Sequence, residues 1–354
     1  FEGQRQQLVS DTVARAVLRL LREETDAELC CVDASYHVMY DKVDSIAETT
    51  TLAPVLDAFD VPIIDGTKPP FKVASVPGGG QMFEQYTMMG DVVDADAVVS
   101  VAKMKNHAYM GVTGCLKNLF GLMPGAPDGH PRHYYHHLIR MPYMLADIGR
   151  IINPALNVVD ALVGQAGMEW GDGEGTGRIV DGLIAGDHVI ATDTVMTYLM
   201  GLDPRADWLT PPFHRDRNAI RVAAEGGFGT VDLDAIDFES ELDPQSEGTF
   251  YARTWDDLKT VVTWRRTMAE QGLYYRDHRD DLANYEGTYI LLQDGEVKWH
   301  HADGIMKVSR RKLAGRHRDH GMFFKYVDLD ETEQEHYEVY ERALADLARR
   351  DLDL

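Results

Sequence analysis

Cysteine is scarce: Cys30, Cys31 and Cys115 are the three in a chain of 354 residues. Two are adjacent, the third stands alone, and there is no CxxC pair. A disulfide framework is therefore excluded, and the cysteines supply no ligand set for an Fe–S cluster or a zinc ribbon. Positive charge is also short. Lys plus Arg number 35 against 58 Asp plus Glu, a formal net charge of −23. Nucleic-acid backbones and anionic membrane surfaces are bound by clustered Lys and Arg, so neither is expected as the main partner. No apolar run reaches the roughly 18 residues that a membrane-spanning helix needs. The chain opens on Phe1, without Met or a signal-like apolar stretch. That fits a cytoplasmic location, or export after removal of a signal.

What is present is ordinary globular composition, 44% hydrophobic and 26% charged, which excludes a disordered chain. Apolar spacing predicts a helix over residues 5–23 and a short strand over 28–33. A helix over 52–59 and a strand over 61–64 follow. Ala95–Ala102 (ADAVVSVA) is an apolar β-branched run of the kind covered on both faces. A Gly- and His-rich loop is expected from Lys103 to His137, then a helix to Ile152 that stops before Pro154. Strands at 156–163 and 178–185 flank a second loop, Gly164–Gly177, which carries Glu169, Asp172 and Glu174. A helix over 189–200 is expected to start on an acidic cap at Asp187. Further on, Asp294-Gly295 marks a hairpin within 288–299, residues 321–327 form a strand, and 331–349 form an acidic helix. Alternating strands and helices imply an α/β fold, with a mixed or mainly parallel sheet flanked by helices and a smaller α+β C-terminal region. The texture divides the chain into an α/β domain over 1–235 and an α+β extension or second domain over 236–354.

In such sheets ligands sit beyond the carboxyl ends of strands, which directs attention to the loops after 102 and 163. Five of the 14 histidines lie between 107 and 137, where Lys103, Lys105 and Lys117 also fall. A chain with a negative overall field needs a local positive patch to bind an anion. Here the candidate acid/base and cationic residues are His107 and Lys117. Lys103, Lys105, Thr113, Gly114 and Asn118 are candidates for holding a ligand or cofactor, since Gly114 begins a turn whose amides can face an anion. His133, His136, His137 and Asp160 are candidate ligands for a transition metal, which imidazole and carboxylate suit. Each residue also has a plain structural alternative. The histidines can cover a surface or a core, Asp187 can cap a helix, and Asp193 can be a solvated helix residue.

The stretch KMKNHAYMGVTGCLKNLFGLMPG resembles the signature of the uncharacterised family known as domain of unknown function 362. Ala146-Asp147-Ile148, Val159-Asp160-Ala161-Leu162, the Gly164–Gly177 loop and the Ala185–Val195 segment match its later elements in order, so the resemblance spans about residues 8–230. Two family features are missing: a Lys-Pro-Asn strand before the first helix and the ferredoxin-like cysteines of some members. Residues from about 250 onward match nothing nameable. The order His107, Lys117, Pro124-Gly125, His133 is also similar to a stretch of nickel-pincer lactate racemase. That likeness implies an acid/base role for His107, a pincer nucleotide on Lys117 and a nickel ligand in His133.

Two functions follow. One is a metal-associated enzyme performing proton abstraction, isomerisation or redox chemistry on a small anionic organic substrate at the 103–137 and 164–177 loops. The other is a non-catalytic metal- or ligand-binding accessory of an electron-transfer or biosynthetic system. The basic residues Arg310-Arg311-Lys312 and Arg316-His317-Arg318 suit a solvated loop, an anion site or a contact within a homo-oligomer.

Overall fold

A computed structural model describes residues 7–33, 50–66, 68–125, 129–168, 175–254, 256–306, 308, 310–313 and 321–352, with residues 132, 133, 310 and 311 described in backbone only. In chain order the first elements are α1 (Asp11–Glu24), β1 (Cys31–Asp33), α2 (Ala53–Asp57), β2 (Ile63–Asp65), β3 (Phe71–Ser75), β4 (Gln85–Met89), α3 (Gly90–Asp94), β5 (Val99–His107), β6 (Gly111–Thr113) and α4 (Cys115–Asn118). They continue with α5 (Arg132–Tyr135), α6 (Arg140–Ile152), β7 (Leu156–Gly167), β8 (Gly175–Gly186), α7 (Val189–Leu199) and α8 (Ala219–Glu225). The last are α9 (Leu258–His278), β9 (Tyr289–Gln293), β10 (Glu296–His301), α10 (Arg310–Leu313), β11 (Phe323–Tyr326) and α11 (Glu338–Arg349).

The central sheet runs in the order β6-β5-β7-β8. Its β5–β7 pair is parallel and its outer pairs are antiparallel, so the sheet is mixed. A parallel β1–β2 pair, an antiparallel β3–β4 pair and the antiparallel sheet β10-β9-β11 complete the described strands.

Alternation along β5 decides which side chains meet the solvent side of the sheet. Val99 and Val101 pack with Val158, Leu156 and Leu162 under Val13 and Val17 of α1. Lys103, Lys105 and His107 continue that same face, while Ala102 and Met104 point into the main core. α1 begins at Ser10, whose backbone N–H donates to Asp160 Oδ2 at 2.7 Å. The helix thus stops short of Lys105 and His107.

Several expectations shift. Lys103–His107 belongs to the strand rather than to a loop, because β6 and β7 pair with it as far as His107 and Lys105 respectively. The ladders also absorb residues 164–167 and 175–177, and 169–174, including Glu169, Asp172 and Glu174, lie outside the described residues. The cap of α7 is His188, whose side chain accepts from Ile190 N, not Asp187. The acidic helix starts at Glu338 instead of 331, since the preceding carboxylates turn inward onto His130 and Lys325. α9 escaped the apolar pattern because Arg265 and Gly272 occupy its buried stripe alongside Val261, Met268 and Tyr275.

One apolar cluster contains residues of both proposed units, among them Met104, Tyr134, Met268, Phe323 and Tyr340. Buried ions join them as well. Arg140 pairs with Glu335 at 2.8 Å and stacks between Phe323 and Tyr134, while Lys325 Nζ lies 2.7 Å from the other Glu335 oxygen. Arg265 binds Asp216 at 2.6 Å with both side chains buried.

Candidate functional site

His107 ends β5 and is buried. The chain folds back at once into β6, so the amides of Tyr109 and Met110 both donate to His107 Nδ1, at 3.0 and 3.1 Å. With Nδ1 accepting, the neutral ring carries its proton on Nε2. The imidazole is thereby fixed as a hydrogen-bond donor towards its surroundings.

Beside it stands His136, 6.3 Å away between ring centres. Tyr109 lies 4.9 Å and Phe120 5.8 Å from the His136 ring. Lys117 Nζ sits 4.8 Å over Phe120. On the far side the Arg215 guanidinium is 4.9 Å from Tyr109 and 5.5 Å from Trp264. Its Nε is 3.2 Å from Asp256. The fold thus brings together His107 and His136, which the sequence marked, with Tyr109 and Arg215, which it did not, and Lys117 adjoins them through Phe120. The 212–216 segment is pinned at two points. Phe213 packs where a side chain on Gly111 would stand, and Asp216 accepts the Ile139 amide at 2.6 Å. Ile139 has φ +73°, a strained conformation for a β-branched residue, two residues after His137.

Lys103 and Asp160 are buried together. Asp160 Oδ2 receives both Lys103 Nζ, at 2.9 Å, and the Ser10 amide, while Oδ1 receives the Leu162 amide at 3.1 Å. Asp160 is thus the internal counter-ion of Lys103 and the anchor of α1. Lys105, one step further along the face, has Thr113 as its antiparallel neighbour and Gln165 as its parallel neighbour. Thr113 Oγ1 and Gln165 Oε1 are buried and have no hydrogen-bond partner among the described residues. Gln165 was not singled out in the sequence, although one amide inside the apolar run ALVGQAG is the kind of signal that marks a site.

The amides after Gly114 do bind a carboxyl group, and it is the protein's own. Asp193 Oδ1 and Oδ2 accept from Cys115 N at 2.7 Å and Leu116 N at 2.8 Å. A Cβ on Gly114 would fall 2.3 Å from Asp193 Oδ1. Burial pushes the Asp193 carboxyl up to about 7 against the pull of those two amides. Asp193 is therefore no solvated helix residue, and Gly114 makes room for a carboxylate rather than for a cofactor. Asn118 turns away to Ser100 Oγ and the Val101 carbonyl, at 3.4 and 3.3 Å. Lys117, Gly114, Asp193 and Ile220 line a narrow, partly open cleft with space for little more than a water molecule.

The remaining histidines separate. His137 is a core residue whose Nε2 meets the Met322 carbonyl at 3.1 Å. His130 stacks on Tyr134 at 3.8 Å and bonds Tyr289 Oη at 2.7 Å and Glu333 at 2.6 Å. The side chain of His133 lies outside the described residues. Among the described residues no three His, Cys, Asp or Glu side chains converge on a position able to hold a metal ion. His107 Nδ1 and Asp160 are committed as above. The described side chains therefore do not by themselves complete a metal site. Elemental analysis and intact mass of purified protein decide the point: a stoichiometric metal or an adduct on Lys117 would bring in residues outside the described set, His133 first.

A family model described as domain of unknown function (DUF362) matches residues 2–198. The match covers more than half of the chain, and the chain belongs to that family. It is also similar to a thylakoid-associated protein of Synechocystis, with 30% identity over 164 residues, 45% of this chain and 48% of that protein. The chain thus spans about half the length of this curated relative. No solved structure matches it. These matches do not carry the likeness to nickel-pincer lactate racemase. No helix among the described residues is long and apolar enough to cross a membrane.

Proposed function

We propose that the chain is an enzyme acting on a small organic anion at the carboxyl end of β5. In this reading His107 Nε2–H polarises a substrate oxygen, and His136 exchanges a proton with the adjacent carbon. Lys105 and Lys117 supply local positive charge in an acidic chain, and Arg215, held by Asp256, walls the Tyr109 side of the site. The observation that carries this reading is the His107 ring, held by two backbone amides in one tautomer and faced by a second imidazole. A neutral imidazole fixed as a donor acts by stabilising charge that develops on oxygen, as in other proton-abstraction sites.

The test is a thermal-shift screen of two- to six-carbon organic acids, followed by NMR of deuterium uptake from D2O into the acids that bind. Exchange at the carbon beside the carboxylate is expected. His107→Asn keeps an acceptor for the Tyr109 and Met110 amides but removes the Nε2 donor. It is expected to fold normally and to exchange about 100-fold more slowly, the usual cost of one oxyanion donor. If none of the acids binds, or if His107→Asn exchanges at the wild-type rate, the reading fails.

A further inference from the structure

Three groups on one sheet face define what the ligand must offer. Lys105 stands between Thr113 and Gln165 in the ladders of β6, β5 and β7. Directly paired residues put their side chains on the same face, with Cβ atoms about 4.5–5.5 Å apart in an antiparallel pair. His107 lies two residues further along β5 and so shares that face. Thr113 is 7% exposed and Gln165 0%. Their side-chain oxygens, Thr113 Oγ1 and Gln165 Oε1, are buried without a hydrogen-bond partner among the described residues.

Buried polar atoms are nearly always satisfied, and an orphaned one disfavours the folded state. Two orphans flanking one lysine, at the strand end where ligands of open α/β sheets bind, call for a partner beyond the described residues. Their chemistry differs. Gln165 Oε1 only accepts, and its Nε2 is already used on the Ala166 and Met168 carbonyls, at 2.6 and 2.7 Å. Thr113 Oγ1 donates as well as accepts, and Lys105 Nζ donates.

We infer that Lys105, Thr113 and Gln165 form the recognition subsite of this protein, and that its ligand is a carboxylate bearing a hydrogen-bond donor, a hydroxyl or amine, on the carbon beside it. The carboxylate accepts from Lys105 Nζ and Thr113 Oγ1. The neighbouring hydroxyl or amine donates to Gln165 Oε1. The bound carbon then lies next to His107. This assignment rests on the organic-anion reading above and sharpens it.

Calorimetry with matched acids tests it: glycolate and glycine against acetate, and the two- to six-carbon 2-hydroxy and 2-amino acids against their unsubstituted parents. At least one donor-bearing series is expected to bind ten-fold or more tightly than its parents. Thr113→Val and Gln165→Met replace each orphaned oxygen by apolar atoms of similar volume. Both variants are expected to keep or raise the melting temperature, since they remove an unsatisfied group. Thr113→Val is expected to weaken every acid ten-fold or more. Gln165→Met is expected to erase the preference for donor-bearing acids while leaving the parents unchanged. Equal binding of substituted and parent acids overturns the subsite and leaves the organic-anion reading standing. Binding of no acid overturns both. Lower melting temperatures with unchanged affinities show that the two oxygens serve the fold, and overturn the subsite alone.

Discussion

Glu335→Gln is expected to destabilise the protein by about 3–5 kcal/mol, the usual cost of leaving a buried charge without its partner. Glu335 is the shared counter-ion of two buried cations. One oxygen binds Arg140 at 2.8 Å and the Tyr340 hydroxyl, and the other binds Lys325 at 2.7 Å. Burial opposes its ionisation, yet Arg140 and Lys325 hold the Glu335 carboxyl down to about 2. Lys325 keeps a second carboxylate, Glu331, at 3.5 Å. Among the described residues Arg140 keeps neutral partners, the Phe324 and Tyr134 carbonyls and the Tyr340 hydroxyl. Urea unfolding measures the loss. The exposed Arg276–Glu341 pair serves as the internal comparison, and Glu341→Gln is expected to change stability by less than about 1 kcal/mol. Similar values for the two variants would show that the buried network adds nothing beyond a surface pair.

The second large effect is a stability that falls as the pH rises from mildly acidic to mildly basic. Burial raises the Asp193 carboxyl to about 7 and that of Asp147 to about 6, in spite of the donors each one binds. Both groups hold a proton more tightly folded than unfolded. Their contribution is fully present below the ordinary carboxylate pKa near 3.8 and is lost as the pH rises through about 6 and then about 7. Glu335 has the opposite sign. Its contribution is present above about 4.5 and is lost as the pH falls towards 2. The melting temperature is therefore expected to peak near pH 4, to decline up to about pH 7 and to level off above it. Asp193 alone accounts for about 1.4 kcal/mol per pH unit within its window. Asp193→Asn is expected to lower stability at pH 5, because its amide NH2 faces a backbone N–H, and to flatten the decline above pH 5. Repulsion within a chain of charge −23 has the same direction. Repeating the scan in 0.5 M NaCl separates the two, since salt screens the surface and not the buried carboxyl. A wild-type decline that vanishes in salt would assign the whole effect to surface charge.

Local pattern carried much of the fold. The amphipathic first helix and the helix ending before Pro154 follow from spacing and breakers alone and are present, whereas the β-branched run at 95–102 enters its strand only at Val99. The candidate site was legible as a place rather than as an assembly. Clustered His and Lys pointed to the end of β5, where His107 and His136 do meet, with Lys117 over the neighbouring Phe120 ring. What the cluster hid was that its members serve different partners. His130 belongs to Glu333, 203 positions away, and Arg140 to Glu335, 195 positions away. No periodicity reports such pairs. Gly114 misled for a related reason: a turn amide that welcomes an anion looks the same whether the anion is a ligand or Asp193. Gln165 became meaningful only through the parallel register that sets it beside Lys105.

The hydrogen bond from Ser10 to Asp160 closes a loop of 150 residues, and it sets an order of events on the ribosome. α1 emerges well before β7, yet the strand face it covers is finished only when β7 has been made. At about 5–20 residues per second, that interval is roughly 8–30 s, far longer than a helix takes to form. During that time Val13 and Val17 have no sheet to rest on. The nascent chain thus carries an apolar helix stripe early in synthesis, and its burial coincides with completion of the strand that holds Asp160. Docking of the first element is therefore a late step, and it comes when the Lys103–Asp160 pair closes beside the candidate site.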